Sequence, residues 1–408
     1  MKWSDRIRIN ALGLYGLCLF FLPYTKLGIP LGLFKFILSD FFLLLSVAVV
    51  LICRLRNGDW RMPGRLTGVV VFFGLLFAVL LSTISVAVDY FRFFASVLPW
   101  VYIALFLLLS ALLYQRHQAK FIRIVFLFSA ASLVVSTIPL YLNFLLGISF
   151  PGMFDWIRYT FMTGNPNQYA AYLLTTTFVL LLIIERFYPQ RRWWSYTLLA
   201  LVTLPAFGTG SQTAFVIMLA LIANYFFYRF LFLRWWKKAL IVAPAILALL
   251  YLSANYQQIL LSMEHIGGVR RAAKILSLIL EGDPSQSESN IDVRVTQLED
   301  AAEIFPEHPI LGVGLANFKA YHKRHELHNT FGAILIEAGL IGFISLLLFF
   351  GAIGWQIVSA GESWPMRLFV LGNYLLFMVM NLTHLYLRER WSWVFLLVTL
   401  FSLFYKKR

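Results

Sequence analysis

Six cationic side chains, Arg270, Arg271, Arg294, Lys319, Lys323 and Arg324, share the polar stretch 256–328 with His308, His322, His325 and His328. An earlier polar stretch, 149–168, adds Arg158. Arginine presents a planar fork that grips phosphate through two N–H groups and stays charged at any working pH. Histidine titrates near neutrality, so it can take a proton from a hydroxyl or stabilise charge on an oxygen. Such a set suits phosphate recognition beside a hydroxyl that needs activating. His328 holds the most telling place, because the segment HELHNTFGAILIEAGLIG (325–342) passes there from polar loop into an apolar run containing Glu337. Each residue also has a plainer reading. Arg270, Arg271 and Arg324 read singly as snorkelling or solvated side chains, and His328 as an interfacial hydrogen-bonding group.

Metal binding is the competing chemistry. His322, His325 and His328 are spaced by three, which on a helix spreads them over about 120°. Two of them are enough to share a zinc ion, but no nearby Cys or Asp completes the site, and Lys323 and Arg324 are poor neighbours for a cation. The sequence reading therefore assigns no metal and no cofactor.

The elements that must position these groups are membrane helices. The chain has 408 residues, of which 60% are hydrophobic and 13% charged, with a mean hydropathy of +0.77. A soluble domain carries roughly 25% charge. Apolar runs long enough to cross a bilayer fall near 9–25, 36–53, 66–88, 93–114, 121–147, 167–186, 195–209, 211–232, 238–255, 329–358, 367–387 and 391–405. The seventh and twelfth are short, and only GTGSQ parts the seventh from the eighth, so a count of eleven is the alternative. The fold class expected is all-α: a polytopic transmembrane helix bundle of about twelve spans with one helical extracytoplasmic loop. A barrel is excluded because no period-2 pattern is present. Cys18 and Cys53 lie in apolar stretches without a CxxC pair, which argues against a disulfide framework. The basic start MKWSDRIRIN leads into an apolar run with no small-residue cleavage site, so the first span is read as retained.

Lys and Arg orient the bundle. With twelve spans, 21 of the 34 Lys and Arg fall on one side, with only Asp5, Asp59, Glu185 and Glu362 against them. That side, which holds both termini, is expected to be cytoplasmic. The net charge of +15 is thus a topology signal, and no nucleic-acid partner is implied. Three regions follow: a transmembrane bundle of spans 1–9 (1–255), a large periplasmic loop (256–328), and spans 10–12 (329–408). Inside the loop, RVTQLEDAAEIF (294–305) has Val295, Leu298, Ala302 and Phe305 at helical spacing, with Pro306 as a stop. GVG (312–314) predicts a tight turn, and NFKAYHKRHELH a short second helix. Below His328, Gly332, Leu335, Gly339 and Gly342 fall on one helical face, a groove for another helix or a lipid chain. Glu337 points away from that face and reads as a structural carboxylate, paired or protonated.

Four segments resemble the O-antigen ligase and O-antigen polymerase superfamily, bacterial inner-membrane glycosyltransferases that use undecaprenyl-diphosphate-linked glycans. FMTGNPNQYAAYLL (161–174) is similar to the family's NPN-containing start of a span, and FGTGSQTAFVIMLALI (207–222) to its Gly-Ser-Arg span. RVTQLEDAAEIFPEHPILGVGLANF (294–318) resembles its segment of Arg, then His-Pro, then Gly-x-Gly-x-x-x-Phe. HNTFGAILIEAGLIG (328–342) resembles its His-Asn helix with a Glu-x-Gly-x-x-Gly end. The motifs run from about 161 to 342; the earlier spans agree in topology alone.

The resemblance implies roles residue by residue. His328 aligns with the histidine that activates or positions the acceptor hydroxyl, and Arg294 with the loop arginine assigned to the diphosphate. Asn329, Asn167 and His325 are supporting residues of the same motifs. One position departs: where the family has arginine after Gly-Ser, this chain has Gln212, which hydrogen-bonds a phosphate oxygen without bringing charge. Either Arg158 or Arg270 and Arg271 supply the missing cation, or the member has shifted in substrate or activity. The expected partners are an undecaprenyl-diphosphate-linked glycan donor, lipid A–core or a glycan as acceptor, and membrane lipids. The expected place is the bacterial inner membrane, with the active site periplasmic. An acceptor of lipid A–core makes the chain an O-antigen ligase; a lipid-linked glycan acceptor makes it a polymerase. A polysaccharide or lipid transporter is the reading from another class. It predicts charges along a path inside the spans, where only Glu337, Asp40 and Asp89 are candidates.

Overall fold

The computed structural model describes residues 3–31, 34–57, 66–148, 150, 152–155, 158–163, 165–233, 289–321, 327, 329–383 and 389–404. Within them the chain is helical. In order come α1 (Trp3–Phe20), a hairpin of β1 (Ile29–Leu31) with β2 (Phe34–Phe36), α2 (Leu38–Asn57), α3 (Thr67–Ser82), α4 (Tyr90–Leu146), a hairpin of β3 (Phe154–Asp155) with β4 (Arg158–Tyr159), α5 (Pro166–Phe187), α6 (Trp193–Gly208) and α7 (Gln212–Leu231). After the undescribed stretch follow α8 (Ser289–Ile304), α9 (Phe318–Tyr321), α10 (Thr330–Val358), α11 (Trp364–Thr383) and α12 (Arg390–Phe404). Eight helical segments among the described residues are long and apolar enough to cross a membrane. The all-α polytopic bundle expected from hydropathy is what forms. Eleven of the twelve expected spans coincide with described helices; the ninth, 238–255, lies outside the described residues.

α4 accounts for two spans. Its 57 residues are interrupted at His117 (φ −132°, ψ 41°), and the segments Tyr90–Gln115 and His117–Leu146 each have the length and hydropathy of a span. The ring of Tyr15 on α1 packs on Phe106 from the first half and Phe121 from the second, at 5.4 and 5.3 Å, so α1 lies against both.

The centre of the bundle is α5. It is apolar on every side, as a helix without a solvent or lipid face must be, and 89% of its span is buried. α12 lies beside it, with Trp391 to Leu403 all buried. Where helices carry amides, small residues admit them: Asn224 on α7 donates to the Phe369 carbonyl and Asn373 Oδ1 on α11 at 3.0 and 2.8 Å. A Cβ on Gly372 would stand 2.5 Å from the Asn224 amide oxygen, the small-residue device of membrane helix contacts.

Charged residues that the Lys and Arg count assigns to the cytoplasmic side meet at one end. Glu185 accepts from Ser195 Oγ at 3.0 Å and Tyr225 OH at 2.8 Å, and pairs with Arg229 at 3.3 Å. Arg186 pairs with Glu362 in the same way. The opposite end, which the same count assigns to the outer side, carries both hairpins, residues 289–321 and the starts of α5, α7, α10 and α12.

Candidate active site at the outer end

The connection into α10 is fixed by backbone contacts that need glycine. α10 is broken at Gly339, whose φ of 62° and ψ of −164° lie in a region essentially reserved for glycine. The break frees the carbonyls of Ile336 and Glu337, which accept from Val313 N at 2.9 Å and Gly314 N at 3.0 Å; Leu340 N in turn donates to the Pro309 carbonyl at 2.8 Å. A Cβ on Gly312 would stand 2.3 Å from the Ile336 oxygen, and one on Gly339 would stand 2.2 Å from the Ile310 oxygen. The segment HPILGVG is therefore laid directly on the broken helix. This corrects the projected glycine face: Gly339 leaves the helix, so Gly332 and Gly342 belong to different helical segments. What approaches the backbone there is the loop, neither another helix nor a lipid chain. Glu337 is buried, as expected of a structural carboxylate.

The other side of the loop is stapled to the α3–α4 corner. Asn317, fully buried, accepts from Val88 N at 3.0 Å and Asp89 N at 2.6 Å and donates to the Leu315 carbonyl at 3.0 Å. Leu315 N donates to Thr83 Oγ1 at 3.2 Å. Under the loop, Ala301, Ile304, Val313, Phe318, Leu327, Ala333 and Ile336 make a small core of their own. α8 extends to Ile304 and gives way to a short turn containing Pro306, so the expected helix over 294–305 forms and stops where proline predicts. The GVG turn also forms, with Gly312 and Gly314 at φ 69° and 94°. α10 then starts on Asn329, whose side chain accepts from Phe331 N at 3.0 Å and Gly332 N at 3.3 Å. Thr330 Oγ1 ties its first residue to Asn381 of α11 at 3.1 Å.

A second constellation is built around Arg158. The β3–β4 hairpin pairs Asp155 with Arg158, and the next residue, Tyr159, is buried and donates to the Ser136 carbonyl at 2.7 Å. With the backbone so anchored, Arg158 donates through Nε to the Thr209 carbonyl at 2.8 Å and through Nη2 to Asn167 Oδ1 at 3.1 Å. Its aliphatic stem crosses Gly210, which has φ 59° and where a Cβ would meet Arg158 at 3.3 Å. Thr209 and Gly210 lead into α7, capped by Ser211. Asn167 belongs to the first turn of α5, capped by Asn165, whose side chain accepts from Asn167 N at 2.8 Å and Gln168 N at 3.4 Å, with Pro166 in the first position. Asparagine and serine caps followed by proline are what the chemistry of a helix start favours. Arg158 thus bridges the N-termini of α5 and α7, whose helix dipoles favour an anion.

Beside it lies a third group. Gln168 Nε2 donates to Glu389 Oε1 at 2.7 Å. Arg390 holds Asp40 through Nε and Nη2 at 2.7 and 2.9 Å, donates to the Lys35 carbonyl at 3.1 Å, and sits over the Tyr102 ring at 5.2 Å. Burial pushes the Glu389 carboxyl up to about 7, against the pull of Arg390 and of Gln168.

Of the expected site residues, Arg158, Asn167 and Asn329 are placed with their side chains, and the first two touch. Arg294 stands on α8 and Gln212 begins α7, in each case with the backbone alone described. His328, His325 and Arg270 lie outside the described residues, as do Arg271, His322, Lys323 and Arg324. Asn317, Glu389 and the Arg390–Asp40 pair were missed by sequence reasoning. Asn317 had a signal, since it sits inside the Gly-x-Gly-x-x-x-Phe motif. The others had none, because their partners lie 221 and 350 residues away.

Residues 197–347 match the family model for O-antigen ligase. The matched span, a little over a third of the chain, takes in α6, α7, α8, the loop clasp and the first part of α10, so three of the four motif segments fall in it and 161–174 precedes it. It supports the resemblance to the O-antigen ligase and polymerase superfamily. No curated protein matches the chain.

Proposed function

We propose, for a chain whose residues 197–347 are of the O-antigen ligase family, that it moves O-antigen or a similar polysaccharide from undecaprenyl diphosphate onto lipid A–core, on the periplasmic side of the inner membrane. The observation that carries this reading is the seat of Arg158 across the starts of α5 and α7. A guanidinium at two helix N-termini is a diphosphate site in chemical terms, and this one crosses Gly210, two residues before Gln212 in the chain, the position where the family's cation is missing. Arg158 and Arg294 hold the diphosphate, with Gln212 and Arg270 as further donors.

The acceptor hydroxyl enters near His328 and attacks the anomeric carbon, with inversion. The new bond is acceptor oxygen to C1, and the bond that breaks is C1 to the diphosphate oxygen. Undecaprenyl diphosphate leaves, and the hydroxyl proton passes to His328. The leaving group supplies the driving force, so the reaction needs neither nucleotide sugar nor metal. The residues on either side of His328 are anchored: Leu327 is buried in the small core under the loop, and Asn329 caps α10.

The test is glycan transfer in proteoliposomes from undecaprenyl-diphosphate-linked repeat units, with and without lipid A–core, in EDTA. Transfer to lipid A–core is expected with wild type and lost with His328→Ala. Lengthening of the lipid-linked glycan without that acceptor would make the chain a polymerase. No transfer by a folded protein would return the transporter reading.

A further inference from the structure

Glu389 is not part of any motif that carries the resemblance, and it lies beyond the matched segment. Its carboxylate accepts from Gln168 Nε2 at 2.7 Å. Gln168 is the third residue of α5, adjacent to Asn167, on which Arg158 rests. Sequence alone predicts a different use for it: Asn at the cap with Gln three residues on is a capping-box pattern, in which Gln turns back on the cap's own N–H. Here its amide reaches out to the start of α12.

We infer that Glu389 is a positioning residue for the donor's diphosphate, acting through Gln168 on the turn 165–168 and so on Arg158. The inference rests on the diphosphate reading of Arg158. The physical argument is one of geometry. An arginine fork recognises phosphate only when its plane is held, and of its two anchors Thr209 belongs to a glycine turn while Asn167 belongs to a helix start. Helix starts fray unless they are tied from outside. Asn165 ties this one from within, and Glu389 ties it to α12, which Arg390 locks in turn to Asp40 at the start of α2.

Among the described residues, the groups that act on Glu389 are Gln168 of α5 and its neighbour Arg390, which itself holds Asp40 of α2, donates to the Lys35 carbonyl of β2 and lies over Tyr102 of α4. With its carboxyl raised to about 7, Glu389 is protonated in acid and charged above neutrality. A charged acceptor makes the stronger hydrogen bond, so the tie tightens as pH rises through 7.

The experiment measures donor KM and kcat in proteoliposomes for wild type, Glu389→Ala, Glu389→Gln, Gln168→Leu and Arg158→Ala, between pH 6 and 8.5. Glu389→Ala and Gln168→Leu are expected to raise donor KM about fivefold, the scale of one lost hydrogen bond, with kcat nearly unchanged. Glu389→Gln keeps an acceptor for Gln168 and is expected to restore most of the loss. The ratio of wild-type to Glu389→Gln donor KM should fall as pH rises through 7, because only wild type carries a carboxyl that charges there and groups common to both cancel. A wild-type KM in Gln168→Leu, or a ratio that rises with pH, overturns the inference even where Glu389→Ala does not fold. Arg158→Ala separates the two readings: if it raises donor KM while Glu389→Ala and Gln168→Leu do not, only the inference fails. If Arg158→Ala leaves donor KM unchanged, the diphosphate reading fails and the inference falls with it.

Discussion

Asn165 and Asn329 do the same work at the outer starts of α5 and α10, each accepting from two backbone N–H groups of the first turn. Beyond the caps the two helices part. α5 runs 22 residues without a break, buried on all sides. α10 leaves helical geometry at Gly339 after nine residues, and its first segment is held by a loop that hydrogen-bonds into the break. One helix is scaffold, placed by packing; the other begins with a short piece placed by a clasp. Arg158, expected at the diphosphate, rests on the start of the first, whereas Arg294 stands on α8; His328, expected to activate the acceptor, precedes the second in the chain.

The largest effect is expected from closing the break. Gly339→Ala places a methyl group against the Ile310 carbonyl at 2.2 Å and in a backbone region costing ~3 kcal/mol for any other residue. The loop has to leave the helix, so glycan transfer should fall on the order of a hundredfold, and limited proteolysis should cut between α8 and α10 while the bundle stays intact. Gly351→Ala is the control on the same helix. It meets nothing within 4 Å, and alanine there should stabilise by roughly 1 kcal/mol. Equal losses in both variants would mean that the clasp positions nothing.

How much of this was legible can be read from the same residues. Hydropathy located the helices because a span must satisfy its backbone internally, so composition alone marks it. Asn165 and Ser211 fall inside the quoted motif segments, and capping is a local chemistry, although neither was read as a cap from the sequence. The GVG turn was legible as two glycines set close together. Its destination was not. EAGLIG reads as a helix that tolerates glycine, and nothing local tells that Gly339 turns out of the helix to meet residues 309–314. Arg390 with Asp40 and Glu389 with Gln168 were invisible on the same ground, since each pair is made by the packing of α12 beside α5 and α2. The polarity of Gln168 was visible in the sequence, and its partner was not.

An intermediate effect should follow from loosening the other side of the clasp. Asn317→Ala removes the acceptor for Val88 N and Asp89 N at a fully buried position. Each hydrogen bond is worth ~0.5–1.5 kcal/mol, so unfolding in detergent should shift by about 1 to 3 kcal/mol. Asn317→Asp keeps that acceptor but puts a carboxylate oxygen against the Leu315 carbonyl in place of a donor. It should recover only part of the loss. Full recovery would mean that the side chain serves the α3–α4 corner alone and does not hold the loop.

The smallest effect in energy separates the two supports most sharply. Asn165→Ala and Asn329→Ala each remove one cap, worth ~1 kcal/mol in either helix. The consequences differ because helix formation is cooperative and a piece of nine residues is too short to persist on its own hydrogen bonds. In α5 the loss should stay in the first turn, where Pro166 is already set for a helix and the rest is packed. In α10 it should spread to the break at Gly339, because the Thr330–Asn381 contact, the loop and the packing of Ile334 and Ala338 have to hold a piece that ends there. Hydrogen exchange read by peptide should show 330–338 losing protection throughout in Asn329→Ala, and only about 166–169 in Asn165→Ala. Protection lost to the same depth in both would place α10's first segment under packing control, as in α5, and would leave the loop as a cover with no part in holding it.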